Sequence, residues 1–245
     1  MKIDERIKNK YVVDQSNPIH YIKRSLILKE VKELSKATKI GQIADVGCGF
    51  GTISQGLARF AKVDAYDINA KVIGFVKQTF HWVTNPKFYL KNLFTLKQGK
   101  YDLVVCSEVL QYVSDDDKAL KKINSILKPH GYLILTVPFN KKLITEFDKR
   151  EKSRRYSLEE IVHKMIRANF KIIKIRYWGY PLLKYFYLKM YVPRSNQEAV
   201  RVTKAYTFST IALLLLKFSR YLFLLDLLFN SNKAMGLLII GEKNR

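Results

Sequence analysis

Gly47, Gly49 and Gly51 lie in the stretch "IADVGCGFGTISQGLA", Ile43 to Ala58, between a short apolar run and a helix-like pattern. Glycine reaches positive φ without a steric penalty and leaves bare backbone against which a ligand can lie. The dinucleotide fingerprint is G-x-G-x-x-G, and here the third glycine comes one residue early. That spacing argues against a pyrophosphate gripped at a helix N-terminus in the usual way. A carboxylate, Asp67, follows at the end of the next apolar run. In that position it can accept two hydrogen bonds from a ribose diol, or it can cap the following helix. Asn92 ends a third short run, where its side chain can reach an adenine edge or serve a turn.

The elements that must position these residues read as an alternation. "HYIKRSLILKEVKELSK", residues 20–36, has Ile22, Leu26, Val31 and Leu34 at roughly helical spacing, so a helix precedes the first strand. "QIADV", "KVDAYDI", "KFYL", "YDLVVCS", "YLILTV", "FKIIKIRYW" and "GLLIIGE" read as strands. "TISQGLARF", "AKVIGFVKQTF", "DDDKALKKINSILK" and "SLEEIVHKMIRA" read as helices, the third stopped by "PHG" and the last opened by a Ser157–Glu160 capping box. The alternation predicts an α/β, Rossmann-like doubly wound sheet. An N-terminal helical cap (1–40) precedes the α/β core (41–178). A hydrophobic helical insert (179–233) separates that core from its last strand (234–245).

The motifs "DVGCGFG", "AYDIN", "SEVLQYV" and "LKPHGYLILTVP", in this order, resemble the class I S-adenosylmethionine-dependent methyltransferases. The likeness covers about residues 40–178 and extends to the final strand. It implies an enzyme that transfers a methyl group, with S-adenosyl-L-methionine as cofactor. It also implies that Asp45, Gly47, Cys48, Gly49, Gly51, Asp67, Ile68, Asn92, Leu93 and Ser107 surround that cofactor. The glycine turn would wrap its methionine part, Asp67 would bind the ribose and Asn92 would sit at the adenine. Asn92 departs from the aspartate that the family often carries there, and Cys48 reads as a packing residue. In this fold an N-terminal helix often closes over the cofactor mouth, which makes His20 or Tyr21 a candidate catalytic group and Arg24 a substrate contact.

His81, His130 and His163 have no such setting. Metal-using relatives carry glutamate and histidine ligands in the turn where this chain has Glu108, Gln111 and Tyr112. One carboxylate is a poor set for a dedicated metal, so no metal is expected. Glu108 is then a candidate for orienting substrate, with Tyr112 beside it. Arg150, Arg154 and Arg155, in "FDKREKSRRYSLEEI", could fork onto phosphate oxygens or stand as a solvated charged loop. The segment around them is also similar, more loosely, to methyltransferases of glycan and prenyl-lipid pathways.

Composition bears on the acceptor. With 48% hydrophobic and 27% charged residues the chain is globular. Its two cysteines form no framework, which suits a reducing cytoplasm, and its first residues hold no apolar core long enough for a secretion signal. The net charge of +23 favours polyanions. Residues 141–245 carry 22 basic and 8 acidic side chains, against 22 and 13 in residues 1–140. The basic excess thus coincides with the aromatic, leucine-rich tail, a pairing that suits an anionic membrane surface more than a nucleic-acid groove. In "TFSTIALLLLKFSRYLFLLDLLFN" the charges of Lys217, Arg220 and Asp226 oppose a span, and an in-plane helix fits better. The expectation is peripheral attachment on the cytoplasmic side, with an amphiphilic or small-molecule acceptor. An RNA acceptor and a non-catalytic binding or anchoring role are the alternatives. Neither the acceptor atom nor the oligomeric state is legible.

Overall fold

The computed structural model describes residues 5–191 and 218–244. Seven strands form one mixed sheet in the order β3-β2-β1-β4-β5-β7-β6. They are β1 (Gln42–Val46), β2 (Lys62–Asp67), β3 (Lys87–Leu90), β4 (Tyr101–Ser107), β5 (Leu127–Pro138), β6 (Phe170–Trp178) and β7 (Gly236–Lys243). Only β7 runs antiparallel to its neighbours, pairing Ile134 with Ile240 on one side and Ile175 with Ile239 on the other. The strand order reverses between β1 and β4, so the carboxyl ends of these two strands open the crevice in which such sheets bind ligands.

Helices cover both faces because β1, β4 and β5 are apolar on both sides. On one face α5 (Asp116–Ile126) and α7 (Leu158–Arg167) bury Leu120, Ile123, Ile161 and Met165 against Val104, Leu135 and Ile239. On the other, α2 (Pro18–Ala37) inserts Ile22, Leu26, Ile27 and Val31 against Ile43, Val63, Leu103 and Ile134. The helix expected near the N-terminus is therefore part of the main core. It starts where the Asn17 side chain accepts from Ile19 N at 2.9 Å with Pro18 in the first turn, a favoured start.

Local rules and tertiary pairing compete at several points. The helix expected over "DDDKALKKINSILK" ends at Ile126, and β5 begins at once at Leu127. "PHG" does not break the chain there. It forms a bulge in which the register jumps from Tyr101↔Leu127 to Leu103↔Tyr132, with His130 at φ 60°. A further helix, α1 (Glu5–Ser16), precedes α2 and escaped the periodicity, because it buries only Ser16 fully. Tyr11 nevertheless anchors it, its ring 5.7 Å from Phe50, 5.2 Å from Phe75 and 6.3 Å from Phe80. That contact lays α1 over the glycine turn, of which Phe50 is part. α3 (Thr52–Leu57) is only six residues long, and α4 (Ala70–Thr79) starts at an Asn69 cap.

The first part of the expected in-plane helix, residues 207–217, lies outside the described residues. Of what is described, α8 (Leu182–Phe186), a π-helical turn (Tyr187–Tyr191) and a helical stretch at 218–228 pack back onto the sheet through Leu183, Tyr187 and Phe223. Asp226, fully buried, accepts from the backbone N–H groups of Leu182 and Leu183 at 3.0 and 2.8 Å. Among the described residues no helix is long and apolar enough to cross a membrane.

Candidate active site

The turn after β1 is built by the backbone itself. Gly47 N and Cys48 N both donate to Tyr66 O, at 2.7 and 2.9 Å, and Gly51 N donates to Cys48 O at 2.9 Å. The three glycines have φ of 73°, 51° and 73°, the left-handed region that side chains disfavour. Their surroundings differ. A Cβ on Gly47 would meet Val109 Cγ2 at 2.1 Å, and one on Gly51 would meet the Phe88 ring at 2.6 Å. A Cβ on Gly49 would meet nothing within 4 Å. Gly47 and Gly51 are thus required by packing, and Gly49 alone presents bare backbone to open space.

Asp67 secures this turn. Its Oδ2 accepts from Gly49 N at 2.9 Å and its Oδ1 from Asn69 N at 2.8 Å, each oxygen keeping further acceptor capacity on the crevice side. Asn69, unremarked in the sequence reading beyond its place in "AYDIN", caps α4 by accepting from Lys71 N and Val72 N. Asn92 also acts as a cap, accepting from Phe94 N at 3.0 Å, which leaves its amide N–H donors facing out. Next to it Leu93 is buried, while Ile68 is 73% exposed at the end of β2, an apolar platform beside the turn.

Asp45 is buried under the turn and takes Ser54 Oγ at 2.5 Å. Burial pushes its carboxyl up to about 7, against the pull of Ser54 and with the charge of Asp67 adding to the rise. Cys48 is buried and burial raises its thiol far out of the reactive range, so it packs. Ser107 Oγ lies 3.0 Å from Thr136 Oγ1 at the end of β4. Asp45, Asp67 and Glu108 make this crevice locally acidic in a chain of net charge +23. A cationic ligand here should bind more tightly as pH rises, by up to about tenfold per unit below pH 7. The sign follows from Asp45: below pH 7 a proton must leave before the carboxylate can face a cation, and above it none does. Calorimetry between pH 5.5 and 8.5 checks this, and a flat profile contradicts it.

Beyond the turn a cavity of about 110 Å³ opens among Ile19, Lys23, Glu108, Tyr112, Trp178 and Met235. Glu108, at φ 57°, is held in this sparsely populated conformation by its neighbours. Its N–H donates to Thr136 O at 3.0 Å, and its carboxylate accepts from Gln111 Nε2 at 3.1 Å and Thr136 Oγ1 at 3.3 Å. Two polar atoms of cavity-lining residues are buried without a partner: Gln111 Oε1, an acceptor, and Trp178 Nε1, a donor. Lys23 Nζ lies 6.0 Å from the Trp178 ring centroid.

His20 follows the cavity-lining Ile19 on α2, within electrostatic reach of Lys23 and Glu108, with its side chain 42% exposed. Its Nδ1 is 3.2 Å from Asp14 Oδ1, and Asp14 Oδ2 in turn accepts from Thr52 Oγ1 at 3.2 Å, at the start of α3. Partial desolvation of the ring lowers its proton affinity below the ordinary value. Asp14 opposes that shift, Lys23 reinforces it, and Glu108 opposes it from across the cavity. A neutral imidazole with Nδ1–H donated to Asp14 leaves Nε2 as a base. Asp14, on α1, is a site residue that the sequence reading missed. Its spacing of six from His20 is not a helical pair, and the kink at Asn17 and Pro18 brings the two together.

The remaining expected site residues divide. Tyr112 lines the cavity and is 54% exposed. Arg155 lines it too, but is committed: Nε to Asp148 Oδ2 at 3.0 Å, Nη1 to Phe139 O at 3.1 Å, Nη2 to Tyr187 OH at 3.4 Å. Arg154 staples its own loop through Val113 O and Asp116. Neither is left as a free phosphate fork, and the Arg150 side chain lies outside the described residues. Tyr21 and Arg24 do not line the cavity, and Tyr21 packs 6.0 Å from Tyr221. Among the described residues no three His, Cys, Asp or Glu side chains gather as a metal would require.

Comparison with known proteins agrees with this geometry. Residues 44–135 match the family profile described as a methyltransferase domain. The ubiquinone biosynthesis O-methyltransferase of Bordetella avium is 27% identical over 124 residues, 49% of this chain and 51% of that one. Its counterpart in Dechloromonas aromatica is 31% identical over 100 residues, 39% and 43% of the two chains. The chain thus spans about half the length of the curated relatives it matches. Among solved structures, Haemonchus contortus phosphoethanolamine N-methyltransferase 2, in complex with phosphomonomethylethanolamine and S-adenosylhomocysteine, superposes with a TM-score of 0.67 at 18% identity. That match covers 96% of this chain and 57% of that one. The chain carries a methyltransferase domain on the fold of the class I S-adenosylmethionine-dependent methyltransferases.

Proposed function

We propose that this protein methylates a hydroxyl on the polar head of an amphiphilic acceptor, using S-adenosylmethionine, at a membrane surface. The observation that carries the reading is the cavity beside the glycine turn, walled by Glu108, Gln111, Tyr112 and Trp178, two of which, Gln111 and Trp178, each bury a polar atom without a partner. Buried polar groups are nearly always satisfied, so a small side-chain shift that turned these orphan groups toward the cavity would let a ligand's own hydrogen bonds satisfy them. The walls around them are apolar and aromatic, which suits the rest of a lipid-like molecule. The relatives named for ubiquinone biosynthesis support an acceptor of that kind.

Bound S-adenosylmethionine supplies a methyl group on a positively charged sulfur, an electrophile that needs no further activation. Gly49 and Asp67 would hold it, and the acidic crevice complements its charge. Gln111 and Trp178 orient the acceptor head. His20 takes the hydroxyl proton on Nε2, and the resulting imidazolium is stabilised by Asp14 and by Glu108. Glu108, fixed by Gln111 and Thr136, is a positioning group whose charge favours the protonated His20 only as the proton moves.

The test is incubation with methyl-labelled S-adenosylmethionine and separate lipid, RNA and small-metabolite fractions. Label in a lipid or lipid-precursor hydroxyl is the expected result. Label in RNA would make the net charge the better guide to substrate. No turnover with any fraction, with the cofactor bound, would favour the non-catalytic role.

A further inference from the structure

The outer face of α2 carries charge that the cavity does not use. Arg24 and Arg59 make no ion pair or hydrogen bond among the described residues, and Arg220 bonds only to Tyr221 OH, from Nη2 at 3.1 Å. The Arg220 guanidinium lies 4.7 Å from the Tyr21 ring centroid and 5.0 Å from that of Tyr221, against the edge-to-face pair the two phenols form. Its Nε is buried without a partner. Arg24 sits one helical turn beyond Tyr21. α2 and α3 are pressed together there, since a Cβ on Gly56 would meet Leu28 Cδ1 at 2.6 Å, and Arg59 follows α3 directly. Burial and then Arg59 weaken the hold of Arg24 on its proton, Tyr21 opposes them and Arg220 adds to the fall, with no carboxylate contributing. Like charges gathered without a counter-ion oppose the fold, and an anion would relieve that cost.

Beside this cluster the 218–228 helical stretch and the residue after it expose one apolar face. Phe218 (76%), Tyr221 (54%), Leu222 (55%), Leu225 (48%), Leu228 (79%) and Phe229 (50%) recur at three- and four-residue steps. The opposite side is buried through Phe223 and Asp226. The stretch leads through Met235 into β7, whose first residue, Gly236, pairs with Pro138 and Trp178 at the carboxyl ends of β5 and β6. This apolar face is therefore on the same side of the sheet as the cavity.

We propose that Arg24, Arg59 and Arg220 form a binding site for the phosphate of an anionic phospholipid headgroup, with the 218–229 apolar face entering the acyl boundary beside it. Guanidinium forks match phosphate oxygens, and an apolar face with cations along its flank is the pattern of an interfacial helix. Arg24 lies one helical turn beyond His20 on α2, so docking here brings the cavity mouth to the bilayer. The inference rests on the membrane-surface reading above and adds which lipid the surface selects.

The experiment is flotation of the full chain with phosphatidylcholine vesicles and with vesicles containing 30% phosphatidylglycerol (about that fraction), at about 0.1 M salt where screening reaches ~10 Å. The triple variant R24Q/R59Q/R220Q is compared with K62Q/K87Q/K171Q, which removes the same charge from exposed lysines at the amino ends of β2, β3 and β6. Wild type is expected to prefer the anionic vesicles. The arginine variant should lose about a hundredfold in affinity, at roughly one kcal/mol per basic side chain, and the lysine variant less than about threefold. Should the triple variant misfold, Arg59→Gln and Arg220→Gln singly should each lose about fivefold.

Binding of wild type to neutral and anionic vesicles alike, with the arginine variant unchanged, overturns the phosphate site and leaves the membrane reading standing. No binding to either vesicle overturns both. Loss of binding to an RNA oligonucleotide in the arginine variant, without loss on vesicles, overturns the lipid assignment. So does a stable dimer that shields Tyr221 and Leu225 from labelling.

Discussion

His20→Ala is expected to lower kcat by about 10²–10⁴-fold, the range for a positioned general base, while S-adenosylmethionine affinity and thermal stability stay near wild type. Loss of the ring removes the only imidazole beside the cavity among the described residues, and Glu108 and Asp14 are held in place by the bonds they accept from Gln111, Thr136 and Thr52. The pH profile separates this role from a structural one. Because partial desolvation holds His20 below its ordinary value, kcat/KM should rise along a limb centred below about 6.5 and level off above it. Asp14→Asn removes the neighbour that raises His20, so the limb should move to lower pH as kcat falls about tenfold. A wild-type profile flat from pH 5 to 8, or an Asp14→Asn limb displaced upward, would sink the assignment. In that case the acceptor enters already ionised and needs no base.

The second large effect belongs to Gly49. Gly49→Val should weaken S-adenosylmethionine binding by about a hundredfold or more, roughly 3 kcal/mol, because the side chain would project into the open space over the turn. The fold should hold: nothing stands within 4 Å of that Cβ, and the cost is the left-handed backbone, about 1–2 kcal/mol. Gly51→Ala should behave in the opposite sense. Its Cβ would press on Phe88 at 2.6 Å, so stability should fall by about 2–4 kcal/mol from strain and overpacking. Calorimetric Kd and denaturant midpoints measured on both variants give the comparison. Equal losses of affinity and stability in the two would mean that the glycines act as one rigid turn with no ligand-facing member.

Much of the architecture was legible because strand and helix leave periodic marks. β1, β4 and β7 are nearly continuous apolar runs, and the capped helices announce their starts at Asn69, Asp115 and Ser157, each accepting from the backbone as such residues do. α1 was not legible, since a helix held by one aromatic anchor, Tyr11 on Phe50 and Phe75, has no apolar stripe to read. In sequence the bulge at His130 reads as a helix stop, because a proline and a glycine punctuate a bulge and a turn alike.

The site divides along the same line. The sequence by itself determined the glycine turn, the strand-end carboxylate Asp67 and the order of motifs that mark a methyltransferase domain, because each is a local backbone requirement written in consecutive residues. It could not assign Arg24, Arg154 and Arg155 to their places, since a basic side chain's role depends on which carboxylate or carbonyl reaches it. Asp148 claims Arg155, Val113 claims Arg154, and no partner among the described residues claims Arg24. Nor could it join Asp14 to His20 or orphan Gln111 and Trp178 in one cavity. Those are distances between elements, and only the packing of α1, α2 and the loop after β4 over one crevice sets them.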